Sequence, residues 1–217
     1  MQNSSPIPPL PGPNTLRLTH RLAELRKSIA LIDPDLLAFN TSAAYEQFSP
    51  AHGTFLFNYW GKPISISYPE LIVQEPGTQK NASEMTQAII LYYLQTADGT
   101  PLQGNWISFA ELEDGRFYNQ AFQGYTGQEI SRFFQNDQGR FSSAALKLGG
   151  EASSSFPAAY AFLALPRVPL LINFWAGDED FPSSCQVLFD GSASHYLPTD
   201  AYAILGSTLT RQLIASI

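Results

Sequence analysis

One continuous stretch, from Val168 to Asp190, most strongly constrains how this chain can fold. An apolar run ends at Trp175, three adjacent carboxylates follow Gly177, and a second apolar run ends at Phe189. Two apolar runs separated by a polar turn are typical of neighbouring β-strands. The stretch therefore predicts two core strands joined by an acidic loop. We expect Trp175 to be buried and the carboxylates to stay at least partly exposed.

A longer apolar segment, Phe156 to Ala176, overlaps the first of these runs and has the length of a membrane span. Pro166 and Arg167 interrupt it, and a charged residue near the middle of a span is costly in lipid. The segment instead predicts two buried strands, Ala159–Leu165 and Val168–Trp175, and no membrane insertion.

The rest of the chain predicts an N-terminal arm followed by one α+β domain. Residues 1–14 contain five prolines, which indicates an extended, partly disordered arm, with a proline-rich docking ligand as the alternative. Residues 15–217 are predicted to form a single α+β domain, an antiparallel or mixed sheet packed by helices. Alternating apolar residues predict a hairpin over Thr54–Tyr68, and we expect it to share one sheet with strands 159–175. The apolar face of a first helix is predicted to consist of Leu18, Leu22, Leu25, Ile29 and Ile32.

Charge and cysteine usage exclude several classes of function. The net charge is −7 and there is no dense basic stripe, so we expect no nucleic-acid partner. The single cysteine, Cys185, cannot hold an iron–sulfur cluster alone, and none is expected. One cysteine fits a reducing compartment, and the N-terminus does not resemble a signal peptide. The sequence therefore favours a soluble, cytoplasmic protein.

The densest group of titratable residues is the acidic loop, Asp178, Glu179 and Asp180. Together with Asp190 these carboxylates are candidate ligands for a divalent cation, because oxygen ligands suit calcium and magnesium. The spacing does not match an EF-hand, and an ordinary solvated turn is the simpler interpretation.

A second candidate site is an apolar pocket for a flat ligand. Aromatic residues are concentrated around Trp106–Phe122, and an acidic rim accompanies them. Packing in the core is the commoner role for such aromatic residues, and a structural role is the commoner one for a lone histidine. The candidate pocket residues are Trp106, Phe109, Glu111, Tyr118, Trp175 and His195.

Three segments resemble one known family. They are Ala88–Leu112, the segment GRFYNQAF (Gly115–Phe122), and Leu165–Asp200, which contains the unusual string WAGDEDFP followed by LFD and HYLP. Together they resemble the DUF3786 proteins over roughly residues 50 to 215. The family implies no established activity. Some of its members carry a cysteine-rich iron–sulfur segment and are associated with corrinoid proteins, whereas this chain has a proline-rich arm in place of those cysteines.

These observations leave two main hypotheses. The first is a soluble small-molecule-binding or accessory protein, whose ligand is a tetrapyrrole-like molecule, another small molecule or a protein partner. The alternative is a divalent-metal-dependent enzyme of the hydrolase type, which uses the acidic loop 178–180 with Asp190 and His195. Whether the acidic loop and His195 converge in one concave site separates the two.

Overall fold

The computed structural model describes residues 13–75, 77–78 and 80–217. The helices are α1 (Pro13–Ile29), α2 (Pro34–Thr41), α3 (Glu84–Thr96), α4 (Gly115–Tyr125), α5 (Gly127–Phe134), α6 (Gln138–Lys147) and α7 (Thr199–Ala215). The strands are β1 (Ala44–Ser49), β2 (His52–Tyr59), β3 (Lys62–Tyr68), β4 (Val73–Gln74), β5 (Trp106–Ser108), β6 (Glu151–Ala152), β7 (Ala159–Leu165), β8 (Val168–Trp175) and β9 (Ser184–Asp190). Short 3-10 helices cover Phe109–Glu111 and Ala193–His195.

The strands form two antiparallel sheets, which confirms the predicted α+β fold. One sheet has the order β1-β2-β3-β4 and the other β5-β9-β8-β7-β6. The prediction that the hairpin Thr54–Tyr68 and the strands 159–175 share one sheet is therefore wrong. Each of these hairpins buries its apolar face against helices as well as strands. Neither hairpin therefore needs backbone hydrogen bonds to the other in order to bury that face.

The two sheets nevertheless contribute to one hydrophobic core. Phe55 and Ile66 from the first sheet and Leu170 and Ile172 from the second belong to the same cluster of buried side chains. The sheets also meet directly, because the backbone N–H of Trp60 at the hairpin turn donates a 2.9 Å hydrogen bond to the carbonyl of Ala164 in β7. The fold is thus a single α+β domain.

Strand alternation in the five-stranded sheet decides which side chains face this core. Leu170, Ile172 and Phe174 of β8 point into it, and Phe174 stacks on Phe141 of α6 at 4.7 Å between ring centroids. The following residue, Trp175, points to the opposite face and is 39% exposed. The prediction that Trp175 is buried is therefore wrong.

The first helix packs as predicted, but it begins earlier. Leu22, Leu25 and Ile29 of α1 are buried in the core. Most of the predicted arm, residues 1–12, lies outside the described residues. Helix α1 begins at Pro13, where a proline is tolerated because the first helical N–H groups have no intrahelical acceptor. Helix α1 thus includes the last two residues of the predicted arm, 13 and 14.

The apolar segment Phe156 to Ala176 forms strands β7 and β8, as predicted. Across the part of the chain that the structure describes, no helix is long and apolar enough to cross a membrane.

Candidate functional site

The acidic loop is a turn that its own first carboxylate closes. Asp178 Oδ1 accepts hydrogen bonds from the backbone N–H groups of Asp180 at 2.9 Å and Phe181 at 2.8 Å. The N–H of Asp178 in turn donates to the carbonyl of Phe181 at 2.9 Å. The side chains of Asp178, Glu179 and Asp180 are exposed, as predicted. One carboxylate of the loop therefore has a local structural role that needs no bound cation.

Asp190 lies at the other end of β9 from this loop. The strand runs from Ser184, which pairs with Trp175, to Asp190, a distance of about 20 Å at the usual rise of a strand. Within the described ranges, no three His, Cys, Asp or Glu side chains lie close enough together to hold a metal ion. The predicted joint site of Asp178, Glu179, Asp180 and Asp190 is therefore not formed.

Asp190 instead ties two loops together from a buried position. It is 3% exposed, and its carboxylate accepts bonds from the backbone N–H groups of Gln103 at 2.9 Å and Gly104 at 2.8 Å. Ser192 adds bonds from its N–H at 2.9 Å and its hydroxyl at 2.6 Å. Burial raises the pKa of Asp190, but these hydrogen bonds outweigh burial and the net pKa is lowered. Asp190 therefore fixes the loop before β5 against the turn after β9.

The predicted aromatic pocket does not exist as one site. Phe109 is 1% exposed and stacks on Phe122 at 4.1 Å between ring centroids, so it is core. Tyr118 is 62% exposed on α4. Trp106 pairs with Asp190 and Trp175 pairs with Ser184, which places the two tryptophans at opposite ends of β9.

Glu111 and His195 also lie outside any common pocket. Both the N–H and the hydroxyl of Ser108 donate to Glu111 Oε2 at 2.7 Å, which caps a 3-10 helix and lowers the pKa of Glu111. His195 lies in a separate 3-10 helix after β9. Nearness in sequence predicts a common pocket for several of these six residues, but the direction of the strands separates them in space.

His195 has a partner that sequence proximity did not reveal. Its Nδ1 lies 2.7 Å from Asp98 Oδ2 and 3.2 Å from the hydroxyl of Thr100. The Asp98 side chain also accepts a 2.9 Å bond from the N–H of Thr100. The bond with His195, followed by those from Thr100, lowers the pKa of Asp98 to about 2. A carboxylate on Nδ1 orients the ring and leaves Nε2 as the atom available for a ligand.

Tyr196 and Arg167 extend this arrangement. The buried hydroxyl of Tyr196 donates to the carbonyl of Thr100, and the Arg167 guanidinium lies near the same hydroxyl. Burial raises the pKa of Tyr196, and the charge on Arg167 opposes that rise. Arg167 Nε also donates to Ser42 Oγ at 2.7 Å. We refer to Asp98, Thr100, Arg167, His195 and Tyr196 as the junction cluster.

Three parts of the chain bring the junction cluster together. Asp98 and Thr100 follow the end of α3, Arg167 is in the turn between β7 and β8, and His195 follows β9. The bonds of Asp190 to Gln103 and Gly104 hold the loop that carries Thr100. The N–H of Gly191 also donates a 2.9 Å hydrogen bond to the carbonyl of Asn105, which joins the turn after β9 to the same loop. The cluster is therefore preorganised by backbone contacts.

Arg167 carries the permanent positive charge of the junction cluster. Among the described residues, the ion pairs do not include Arg167, although its side chain is partly buried. Asp98 is paired with His195, and their side chains are 50% and 40% exposed. A partly buried guanidinium without a carboxylate favours an external anion, because Arg binds carboxylates in a two-pronged geometry. The cluster can thus hold an anionic group at the surface.

Apolar surface lies next to these charges. Phe39, on α2, is 72% exposed, and its ring borders Gly99 between Asp98 and Thr100, so that a Cβ at residue 99 would come within 3.2 Å of it. Leu36, one turn earlier on the same helix, is 50% exposed. Aromatic side chains are enriched in protein interfaces, and they often contribute most of the binding energy there.

Comparison with known proteins gives a family and no relative of known function. A family model described as "Domain of unknown function (DUF3786)" matches residues 33–212. No curated protein and no solved structure matches the chain.

Proposed function

Because the chain belongs to the DUF3786 family, whose function is not assigned, we propose from its own geometry that it is an accessory protein that binds an acidic group of a protein partner. The observation that carries this proposal is the partly buried guanidinium of Arg167, for which the described residues supply no carboxylate. A carboxylate from a partner would complete that pairing.

The surroundings of the junction cluster favour a protein over a free small anion. The cluster is open, since both members of its Asp98–His195 pair are about half exposed. Leu36 and Phe39 add an exposed apolar border that a small anion would leave uncovered. An acidic residue flanked by apolar side chains matches both the charge and the border.

Two other hypotheses have less support. The metal-dependent hydrolase relied on Asp190 and His195 joining the acidic loop, and both lie away from it. The tetrapyrrole-like ligand relied on an aromatic pocket whose members are dispersed over the fold. Both stay predictions. Neither is supported by a geometric feature as specific as the Arg167 guanidinium, which has no carboxylate partner among the described residues.

A peptide-binding experiment tests the proposal. An array of short peptides with one Asp or Glu flanked by apolar residues is compared with matched peptides that carry Asn or Gln instead. We expect acidic peptides to bind preferentially, and the Arg167→Gln variant to lose at least tenfold in affinity. The control is Arg211→Gln, which removes an exposed arginine on α7 outside the cluster.

Isotope-labelled protein shows where the peptides bind. Bound peptide should shift the NMR signals of the Arg167 Nε–H and of the His195 ring. Equal affinity for acidic and amide peptides, or equal losses in the two arginine variants, would refute a role for Arg167 in binding.

A further inference from the structure

Asn173 has a buried side chain that the fold leaves without hydrogen bonds. The residue is 1% exposed, and neither Oδ1 nor Nδ2 has a partner among the described residues. It occupies the middle strand, β8, of the five-stranded sheet. Buried side-chain amides are bonded in the large majority of proteins, so an amide with both ends unpaired calls for an explanation.

Asn173 belongs to the face of the sheet that points away from the main core. Its neighbours in the chain, Ile172 and Phe174, point into the core, so the Asn173 side chain points the other way. Its cross-strand partners are Ala159 on β7 and Gln186 on β9. Ala159 has a small side chain that leaves space on one side of the amide. Gln186 is exposed and makes the other side polar.

Aromatic and apolar side chains flank the amide along this face. Ala159, Leu171 and Leu188 form a small buried cluster of their own, on which Phe156 and Trp106 pack. Phe156 is only partly buried and comes from the loop between β6 and β7. On the other side of Asn173, Trp175 is 39% exposed. The amide therefore lies between a small apolar cluster and an exposed indole ring.

The positions next to Asn173 on this face are uncharged, and the exposed carboxylate of Glu151 lies on the outer strand β6, opposite Ala161. By register, the outward positions of the three middle strands are Ala159, Ala161, Leu163, Pro169, Leu171, Asn173, Trp175, Ser184, Gln186, Leu188 and Asp190. Asp190 is at the far end and accepts bonds from Gln103, Gly104 and Ser192. A ligand bound here would thus meet neutral groups, and a charged ligand would lose its hydration without compensation.

We propose that Asn173 marks a second binding site, for a small, flat, uncharged ring that carries an N–H next to a C=O. Asn173 Nδ2 donates to the ligand carbonyl and Asn173 Oδ1 accepts from the ligand N–H, which satisfies both unpaired atoms. The ring stacks on the indole of Trp175. Because Asn173 is 1% exposed, the side chains that bury the amide must move aside to admit the ligand. This site is separate from the junction cluster and does not depend on the function proposed for it.

A fragment titration of the intact protein tests this site. The probes are 2-pyridone and uracil, with N-methyl-2-pyridone as the matched compound that lacks the N–H. We expect saturable quenching of tryptophan fluorescence and line broadening of the probe signals with 2-pyridone and uracil. N-methylation should weaken binding at least tenfold, because Oδ1 then lacks a donor. Equal binding of the methylated compound, or no saturable binding of either probe, overturns the proposal.

Three variants locate the binding and separate it from stability. Asn173→Leu should abolish binding without lowering the melting temperature, since it removes an unpaired amide and keeps the volume similar. Trp175→Phe should remove the quenching signal, whereas Asn58→Leu, an exposed asparagine in the other sheet, should leave binding unchanged. If Asn173→Leu lowers the melting temperature of the ligand-free protein by several degrees, a buried water or a protein group satisfies the amide and the proposal is wrong.

Discussion

His195 Nδ1 lies 2.7 Å from Asp98 Oδ2 across a separation of 97 residues. The pair joins the segment that follows α3 to the 3-10 helix that follows β9. Because Asp98 contacts Nδ1, the imidazole has a fixed orientation at the surface. This relationship makes the junction cluster a defined arrangement and gives the folded protein a measurable acid sensitivity.

Replacing Asp98 with asparagine should change how stability depends on pH. The pKa of Asp98 is about 2 in the fold, against an ordinary value of 3.8. A lowered pKa stabilises the fold above the ordinary value, and that stabilisation is lost as the pH drops through the folded value. The difference in unfolding free energy between the parent protein and Asp98→Asn should therefore shrink between about pH 4 and about pH 2.

Urea unfolding at a series of pH values measures this difference, and a second background provides the control. In a His195→Gln protein, most of the pH-dependent effect of Asp98→Asn should disappear, because the largest cause of the lowered pKa is gone. The same pH dependence in both backgrounds would show that Asp98 is stabilised by Thr100 alone.

Asp190→Ala should strongly destabilise the protein. The substitution leaves the N–H groups of Gln103, Gly104 and Ser192 without their acceptor. We expect a loss of about 3 kcal/mol or more in unfolding free energy, since each stranded donor is costly. Asp180→Ala, at an exposed position, should change stability by less than about 0.5 kcal/mol. Comparable effects in chemical denaturation would mean that Asp190 is not the anchor of its two loops.

Two neighbouring aromatic residues on β8 should differ sharply in their contribution to stability. Phe174 is 1% exposed and stacks on Phe141, so Phe174→Ala should cost about 3–5 kcal/mol. Trp175 is 39% exposed, and Trp175→Ala should cost only about 1–2 kcal/mol. Equilibrium unfolding of both variants checks this order. A larger loss at Trp175 would place that ring in the core.

Calcium, magnesium and manganese should leave the melting temperature unchanged. Asp178 Oδ1 already accepts two backbone N–H groups, and Asp190 is at the far end of β9. Differential scanning fluorimetry with each metal and with a chelator measures the response. A rise of several degrees that Asp180→Asn removes would instead support the metal-dependent alternative.

Local patterns predicted much of the secondary structure but not how the strands are arranged. Alternation at Phe55 and Phe57 gave the hairpin, and the apolar run through Leu170 gave β8. Alternation indicates that a strand has one buried face, but it does not identify the neighbouring strand. The assignment of both hairpins to one sheet therefore had no support from the pattern.

The errors at the candidate sites have different physical origins. Trp175 could have been placed correctly, since Leu170, Ile172 and Phe174 alternate inward and the next residue must point outward. No sequence pattern marks Asp98 as a partner of His195. Its contact with His195 depends on how α3 and β9 pack, and no local spacing encodes that distance.

The hydrogen bond from Trp60 N to Ala164 O makes one amide proton a reporter of the whole molecule. Trp60 is at the tip of a hairpin, where fraying normally lets amide protons exchange quickly with solvent. Here the acceptor belongs to the other sheet, so exchange requires the sheets to separate. The Trp60 amide should consequently exchange as slowly as the amides of β8, with the free energy of global unfolding. The two sheets would then unfold together as one cooperative unit, and local unfolding would start in other parts of the protein.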